Sequence, residues 1–256
     1  MYPVLFKIGG GLAIHTYGFF VAMGVMAGIF FAKREAKRLD MDAEKVVDAC
    51  FYIVIAAIAG SRLFYVFTNM DFFMAAPLEI FKIWNGGLVF YGGFIGALVV
   101  VILYIKIYHL PLGKFSDIAA LSVPLAHCLG RIGCFSAGCC YGKTCQLPWA
   151  ITFHNPESLA PLNIAIHPTQ LYSSASNLFI FLILLFYRPH KAYHGQLFWI
   201  YIILYGINRS IIEIFRGDFR GGEVFGIFSI SQTIGLSSAL IAAVMLVILR
   251  KKNLTS

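Results

Sequence analysis

The feature that most constrains this chain is a series of seven long apolar segments. A helix needs about 20 predominantly apolar residues to cross the hydrocarbon core of a bilayer. The composition agrees, because 59% of the 256 residues are hydrophobic and only 12% are charged, whereas soluble domains have about 25% charged residues. The sequence therefore predicts an all-α integral membrane protein with about seven transmembrane helices. We expect the spans at 14–32, 46–67, 88–107, 116–135, 170–187, 195–215 and 228–249.

The basic residues predict the orientation of these spans. Twelve of the 20 lysines and arginines lie in the loops after the first, third and fifth spans and in the C-terminal tail. Short cytoplasmic loops carry such an excess, so we expect the N-terminus outside and the C-terminus in the cytoplasm. The net charge of +8 follows this topology and forms no single patch, and we therefore expect no nucleic-acid partner. The twelve residues are Lys33, Arg34, Lys37, Arg38, Lys45, Lys106, Lys114, Arg188, Lys191, Arg250, Lys251 and Lys252.

Two segments between the spans have a different character. The stretch at about 72–84 is aromatic but too short to span a bilayer, and it predicts an interfacial helix on the outer surface. The region at about 136–169 is long, polar and contains proline, which indicates a small cap on the outer face. We see no second soluble domain, so the sequence predicts a single membrane domain over 1–256.

Polar and ionisable residues concentrate at the predicted outer ends of the spans. An arginine in hydrocarbon costs about 2.5–3.5 kcal/mol on insertion scales, so several arginines at one depth indicate a shared polar cavity. Excess positive charge there favours an anion. At this depth the most available anion is the phosphate of a membrane phospholipid, whose oxygens the planar guanidinium group binds in pairs. The residues at this depth are His15, Tyr17, Arg62, Tyr91, Gly92, Gly93, Arg131, His167, Gln170, Tyr172, Asn208, Arg209, Glu213 and Arg216.

Structural roles compete with this interpretation. Arg62 can extend to the interface while its stem stays in the membrane. Arg209, Glu213 and Arg216 have a spacing that places them on one helix face, where they can form an ion pair between helices. The tyrosines of the set are also typical of aromatic belts. Arg131, which lies deeper and between glycines, is the hardest to explain structurally.

Four cysteines lie at or beyond the predicted outer membrane face. Cys134, Cys139, Cys140 and Cys145 do not have the paired C-x2-C spacing expected of a zinc site. Thiols outside the cytoplasm tend to oxidise, so disulfides that brace the cap are one interpretation. Small packing residues are a second interpretation, and a metal or catalytic site is a third. The sequence does not give the connectivity.

Six motifs in order resemble those of prolipoprotein diacylglyceryl transferases. They are HTYG at 15–18, GSRLFYV at 60–66, WNGGLVFYGG at 84–93, GRIGCFSAGCCYG at 130–142, HPTQLY at 167–172 and NRSIIEIFRGD at 208–218. The resemblance covers nearly the whole chain. It implies a seven-span enzyme of the bacterial inner membrane with its active site on the periplasmic side.

The resemblance also implies the reaction and its partners. The diacylglyceryl group of phosphatidylglycerol, a membrane lipid, moves to the lipobox cysteine in the signal-peptide region of a prolipoprotein, and glycerol phosphate leaves. Arg131 and Arg209 are expected to bind the phosphate, and Glu213 to hold the arginine. Tyr17 and Gly142 lie in motifs that the family uses. The bond that breaks already has a phosphate leaving group, so we expect no cofactor and no metal.

We expect a larger set of residues to line the substrate site. It consists of Tyr17, Arg62, Gly92, Gly93, Cys134, Gly142, Gln170, Tyr172, Asn208 and Arg216.

The chain departs from the family pattern at several positions. Tyr91 stands where the family commonly has a histidine that is a favoured general base. Tyr91 and His167 are counted with Arg131, Arg209 and Glu213 as the expected catalytic residues, and His167, with His15 as the alternative, is expected to accept the proton. Cys134 and Cys139 stand where the common pattern has Asn and Glu. These departures leave a second enzyme open, a paralogue that uses phosphatidylglycerol with another acceptor. A transporter for anions or lipids is less favoured, because the inner halves of the spans have almost no charge.

Overall fold

The structure, a computed structural model, describes residues 2–8, 12–218, 223–224 and 228–254. This part of the chain is mostly helical and contains three small antiparallel strand pairs. The helices are α1 (Thr16–Arg38), α2 (Ala43–Thr68), α3 (Met70–Ala75), α4 (Phe90–Ile107), α5 (Leu112–Ala137), α6 (Thr169–Tyr187), α7 (Gln196–Ile214) and α8 (Ile230–Leu254). The strand pairs are β1 (Val4–Ile8) with β2 (Leu12–His15), β3 (Ile151–Thr152) with β4 (Ala165–Ile166), and β5 (Glu223–Val224) with β6 (Phe228–Ser229).

The prediction of seven membrane-spanning helices is confirmed. Among the described residues, seven helices are long and apolar enough to cross a membrane, and only α3 of the eight helices is too short. The first span runs to Arg38 and is longer than the apolar stretch that predicted it. Its last turn contains Lys37 and Arg38, and basic side chains there interact favourably with the negative end of the helix dipole. The protein is therefore a multi-pass membrane protein.

The chain divides into two compact units, Lys33–Phe115 and Met1–Ala32 with Ser116–Ser256. In the first unit, α2 and α4 approach closely at glycines. A Cβ atom on Gly60 would lie 2.4 Å from the carbonyl oxygen of Gly92, and one on Gly96 would lie 2.5 Å from that of Ala56. Small residues permit such close contact between membrane helices. The single-domain interpretation stays a prediction.

The segment expected to form an interfacial helix at 72–84 has a different structure. The short helix α3 is followed by 3₁₀ turns at Pro77–Phe81 and Ile83–Asn85. Ala76 has φ −138° and ψ 72°, as expected for a residue before proline, which is driven out of the helical region. Pro77 therefore divides the segment, which the aromatic pattern alone did not indicate. Its interfacial location stays a prediction.

The second unit has its apolar core between α5, α6 and α7. Leu121, Leu184 and Leu197 are almost completely buried in this core. The carboxylate of Asp117 accepts hydrogen bonds from the backbone N–H groups of Gly195 (2.9 Å) and Leu197 (2.9 Å). These donors belong to the first turn of α7, which lacks partners within the helix. The contact fixes the start of α7, and with it the positions of the charged residues farther along.

The region between α5 and α6 forms a compact extension around the β3–β4 pair. Phe153, Ala160 and Ile166 are buried together beneath it. An isolated β-bridge pairs Gly142 with Arg216, just beyond the end of α7. The extension is therefore joined to the end of α7 by backbone pairing. This region corresponds to the predicted cap, and its periplasmic location stays a prediction.

Candidate functional site

Arg131 is held by a histidine one turn earlier on α5. Its Nε donates to Nε2 of His127 at 3.1 Å, and the i, i+4 spacing places both side chains on one helix face. At Gly133, two residues after Arg131, a Cβ atom would be 3.0 Å from the carbonyl oxygen of Tyr17. The glycine therefore permits α1 to pack beside the charged end of α5.

Arg209 is part of a polar group shared by α7 and α8. It forms a short ion pair with Glu213, one turn later, and donates from Nη2 to Oγ of Ser231 at 3.0 Å. The hydroxyl of Ser229 donates to the other oxygen of Glu213 at 3.2 Å. Arg209 and Glu213 are 15% and 11% exposed, so this ion pair is largely shielded from solvent.

The surroundings of His127 show where Arg131 and Arg209 lie relative to each other. Its ring lies 5.7 Å from that of Tyr205 on α7, and Tyr205 is one turn before Arg209. The charges of Arg131 and Arg209 both act on the His127 imidazole. Residues 131 and 209 therefore lie in one region between α5 and α7, and their shared role in binding phosphate stays a prediction. The phenol of Tyr17 lies within electrostatic range of Arg131 as well.

Arg216 lies just after α7 and is almost completely buried. Its Nε and Nη2 donate to the two carboxylate oxygens of Asp218 at 2.9 and 2.7 Å. Burial alone would lower the pKa of Arg216, but hydrogen bonds to Asp218 and to the Cys140 side chain raise it above the ordinary arginine value. The side chain therefore stays cationic, and its paired contacts already use two of its donors.

Gly142 occupies a position where backbone strands meet. Its N–H donates to the carbonyl oxygen of His167 at 3.1 Å. A Cβ atom there would lie 2.5 Å from the Cβ of His167 and 2.8 Å from the carbonyl oxygen of Phe215. No side chain fits at such distances. Glycine is therefore required at this position, because the backbone of residues 141–143 lies directly against the backbone of residues 215–217.

His167 lies in an aromatic group beside this junction. Its ring is 5.2 Å from that of Phe215, and its Nδ1 is 3.3 Å from the hydroxyl of Tyr172. The indole N–H of Trp149 donates to the same hydroxyl at 2.7 Å. Tyr172 therefore orients His167, and the role of His167 as a proton acceptor stays a prediction.

The turn after α5 brings three thiols together. The Sγ atoms of Cys134, Cys139 and Cys140 lie within 4.8 Å of one another. Side-chain contacts with Cys134 and Cys140, together with burial, raise the pKa of Cys139. Close thiols therefore resist ionisation together unless a cation compensates them. All six cysteines lie in the described part of the chain, and none is joined in a disulfide, so the disulfide interpretation gains no support.

Gln170 supports this turn from behind. It is 1% exposed, and its Nε2 donates to the carbonyl oxygen of Cys139 at 2.8 Å. Its neighbour Thr169 donates from Oγ1 to the carbonyl oxygen of Cys140 at 2.7 Å. Gln170 therefore contacts the backbone that carries the thiols. The sequence predicted that Gln170 lines the substrate site, and it did not indicate this backbone contact.

Arg62 is enclosed by backbone carbonyls in the unit Lys33–Phe115. Its guanidinium donates to five carbonyl oxygens of the segment 79–87 at 2.6–3.4 Å and lies over the rings of Tyr65 and Phe73. Five hydrogen bonds match the five N–H groups of an arginine. The geometry favours a structural role for Arg62, which orders this segment, over the predicted role in phosphate binding.

The remaining predicted residues have separate locations. Gly92 and Gly93 are buried where α4 meets α2. A Cβ atom on Gly92 would collide with Phe64, and one on Gly93 would collide with Ser61.

Tyr91 is 55% exposed at the start of α4. Asn208 is half-buried immediately before Arg209, and His15 ends β2 opposite Val4. Their substrate contacts stay predictions.

Sequence reasoning missed several residues that complete the site. His127 reads as a lone histidine in an apolar helix, although its spacing from Arg131 is a detectable signal. Ser229 and Ser231 come from the start of α8, and no motif marks them. Asp218, the partner of Arg216, lies two residues later in the same motif, and this spacing is a detectable signal.

Comparison with known proteins identifies the family of this chain. A family model described as prolipoprotein diacylglyceryl transferase matches residues 3–248. A relative from Clostridium tetani, named phosphatidylglycerol–prolipoprotein diacylglyceryl transferase, is 37% identical and covers 94% of this chain and 95% of its own. Relatives of the same name from Clostridioides difficile and Geobacter sulfurreducens are 32% and 31% identical, over 95% and 98% of this chain and 94% and 96% of their own. The chain therefore belongs to the prolipoprotein diacylglyceryl transferase family.

Proposed function

We propose that this protein transfers the diacylglyceryl group of phosphatidylglycerol to the thiol of a lipobox cysteine in prolipoproteins and releases glycerol phosphate. The observation that carries the proposal is the shared location of Arg131 and Arg209 in a chain of this family. The relatives' names give the donor and the acceptor, and this part of the molecule supplies cations for the phosphate.

The chemistry needs stabilisation of the leaving group. The acceptor thiolate attacks the C3 carbon of the diacylglyceryl moiety, the C–O bond breaks, and its electron pair goes to glycerol phosphate. Negative charge grows on the phosphate as the bond breaks. Cations held in advance by His127 and Glu213 therefore interact more strongly with the transition state than with the substrate.

The protein is proposed to act in the bacterial inner membrane with this site toward the periplasm. The twelve basic residues on one side support an external N-terminus and a cytoplasmic C-terminus. Arg131 and Arg209 then lie near the outer ends of α5 and α7. Phosphatidylglycerol would enter sideways from the bilayer, and the prolipoprotein would approach from the outer face.

The test is a reaction in vesicles containing phosphatidylglycerol and a lipobox peptide. We expect the wild-type protein to add a diacylglyceryl mass to the peptide cysteine and to release glycerol phosphate. Arg131→Ala should lower both by at least about 100-fold, the usual loss when a preorganised charge donor is removed. The matched control is Arg34→Ala, which changes an exposed arginine outside the site.

Two results would contradict the proposal. Full activity of Arg131→Ala would remove the assigned role of this residue. Glycerol phosphate release without any modification of the peptide would favour a transferase with another acceptor. A peptide with serine in place of the lipobox cysteine is the control that identifies the thiol as the acceptor.

A further inference from the structure

We infer that Cys134, Cys139 and Cys140 form a binding site for Zn²⁺, and that the acceptor thiol of the substrate becomes the fourth ligand. The inference rests on the proposed function, because it assigns the acceptor half of that reaction. The first observation is geometric: three Sγ atoms lie within 4.8 Å of one another. A tetrahedral zinc ion with Zn–S bonds of about 2.3 Å needs sulfurs about 3.8 Å apart, which small side-chain rotations provide.

The backbone holds these thiols in a convergent arrangement. Cys134 lies in the last turn of α5, and the thiol of Cys139 donates to its carbonyl oxygen at 3.7 Å. Gly138 and Cys140 have φ +80° and +62°. The left-handed conformation is unusual for cysteine, and it turns two adjacent thiols toward the same point. The C-x4-CC spacing therefore does not exclude a metal site.

The turn is also fixed from outside. Gln170 and Thr169 donate to the carbonyl oxygens of Cys139 and Cys140. The N–H of Leu159 donates to the carbonyl oxygen of Ala137 at 3.0 Å. Such second-layer contacts orient metal ligands in proteins. A site with three protein ligands and an open fourth position is typical of catalytic zinc, whereas structural zinc has four protein ligands.

The electrostatic surroundings suit an anionic metal centre. Three thiolates and Zn²⁺ have a net charge of −1, and the acceptor thiolate makes it −2. Arg131 acts electrostatically on Cys134, and Arg216 hydrogen-bonds the Cys140 side chain. Two guanidinium groups therefore compensate the cluster. Sulfur ligands select thiophilic ions such as Zn²⁺ over Mg²⁺ or Ca²⁺.

This centre would activate the acceptor without a protein base. When the substrate thiol binds the metal it loses its proton to solvent. The bound thiolate then attacks the glycerol C3 carbon, a C–S bond forms, the C–O bond breaks, and glycerol phosphate leaves with the electron pair. The thioether product is neutral and a weaker ligand, so it departs. This route removes the need for the histidine that Tyr91 replaces.

The first test measures metal binding in the purified, full-length protein. After chelation and reduction, we titrate with Zn²⁺ and with Co²⁺, whose thiolate charge-transfer and tetrahedral absorption bands report sulfur ligation. We expect one equivalent bound by the wild type. Cys139→Ser and Cys140→Ser should bind at least about 10-fold more weakly, since even outer-layer changes cost 10–100-fold.

Controls keep this test specific. Cys145→Ser and Cys50→Ser change cysteines outside the cluster and should bind as the wild type does. Equal binding by Cys139→Ser, absence of the cobalt bands, or a count of four thiols in the unreduced protein would overturn the inference. The last result would indicate a disulfide. The wild-type titration keeps the test valid if a variant does not fold.

The second test separates this inference from the proposed function. Addition of lipobox peptide should shift the cobalt bands, and the serine peptide should not. Chelated enzyme should lose at least about 10-fold in peptide modification, and Zn²⁺ should restore it. Full transfer by metal-free enzyme would overturn the zinc inference while supporting the proposed function. No transfer by zinc-loaded enzyme, with intact peptide binding at cobalt, would overturn the function and leave the metal site standing.

Discussion

His127 fixes the direction in which Arg131 presents its guanidinium group. The hydrogen bond uses Nε, and the terminal nitrogens of arginine are suited to bind phosphate oxygens in pairs. A similar dependence exists on α7, where Glu213 pairs with Arg209 and itself accepts from Ser229. At this scale the site depends on partners that position the cations, in addition to the cations themselves.

The first prediction concerns His127 as a positioning residue. His127→Ala should lower transfer about 3- to 10-fold, because a net hydrogen bond contributes about 0.5–1.5 kcal/mol. His127→Gln should recover part of the loss, since its amide oxygen can accept from Arg131. The control is His190→Ala, an exposed histidine beyond α6. Equal rates for the alanine and glutamine variants would indicate that only the ring packing against Tyr205 matters.

The sequence pattern identified the charged residues but not their hydrogen-bond partners. An arginine in an apolar segment is a strong signal because its insertion is costly. His127 and Ser231 give no such signal, because histidine and serine are tolerated in many helices. The role of Arg62 could not be predicted, since it depends on carbonyl groups of 3₁₀ turns about 20 residues away, which the sequence pattern does not place.

The elements around the site are joined by close backbone contacts. Gly142 pairs with Arg216 in a β-bridge, and Gly206 on α7 faces Gly235 on α8, where a Cβ atom would lie 2.4 Å from the Gly235 carbonyl oxygen. These contacts set the position of the charged end of α7 relative to the turn after α5. The addition of one methyl group at either glycine would therefore displace the two elements that meet there.

The second prediction compares two glycines of one motif. Gly142→Ala should lower transfer by about 100-fold, the loss that a displacement of about 1 Å can cause, because the new Cβ atom would collide with His167 and Phe215. Gly130→Ala should retain activity, since a Cβ atom there has no neighbour within 4 Å. Equal loss in both variants would show that the collision at residue 142 is not the cause.

The elements themselves were largely predictable, and their irregularities were not. Long apolar segments determine helices wherever a chain crosses a bilayer, so the seven spans follow from hydropathy. The left-handed Cys140 and the turn it forms depend on Gln170 and Thr169, about 30 residues later in the chain. The spacing of the cysteines along the sequence is therefore not the spacing of a typical zinc site, although their Sγ atoms lie close together in the fold.

Across the described residues, seven apolar helices alternate with basic connections, and this alternation predicts which ends of the helices face the cytoplasm. An odd number of spans places the termini on opposite sides. The basic residues of the C-terminal tail, Arg250, Lys251 and Lys252, belong to the last turns of α8. Under the positive-inside rule, they predict that this end of the chain lies in the cytoplasm.

The third prediction follows from this topology. A green fluorescent reporter fused after residue 256 should fluoresce, because it folds in the cytoplasm, and alkaline phosphatase at the same place should be inactive. A phosphatase inserted in the loop at 154–159 should be active. The reverse pattern would place Arg131 and Arg209 at the cytoplasmic side and would contradict the proposed access of the substrates.

The central claim is that Arg131 and Arg209 act on one phosphate, and a double-mutant cycle tests it most directly. Arg131→Lys and Arg209→Lys keep the charge but lose the paired geometry, so residual transfer remains measurable. The account predicts that the double variant departs from the product of the single losses by at least about fivefold, a coupling of about 1 kcal/mol. Losses that simply multiply would mean that the two arginines act independently and would contradict the account.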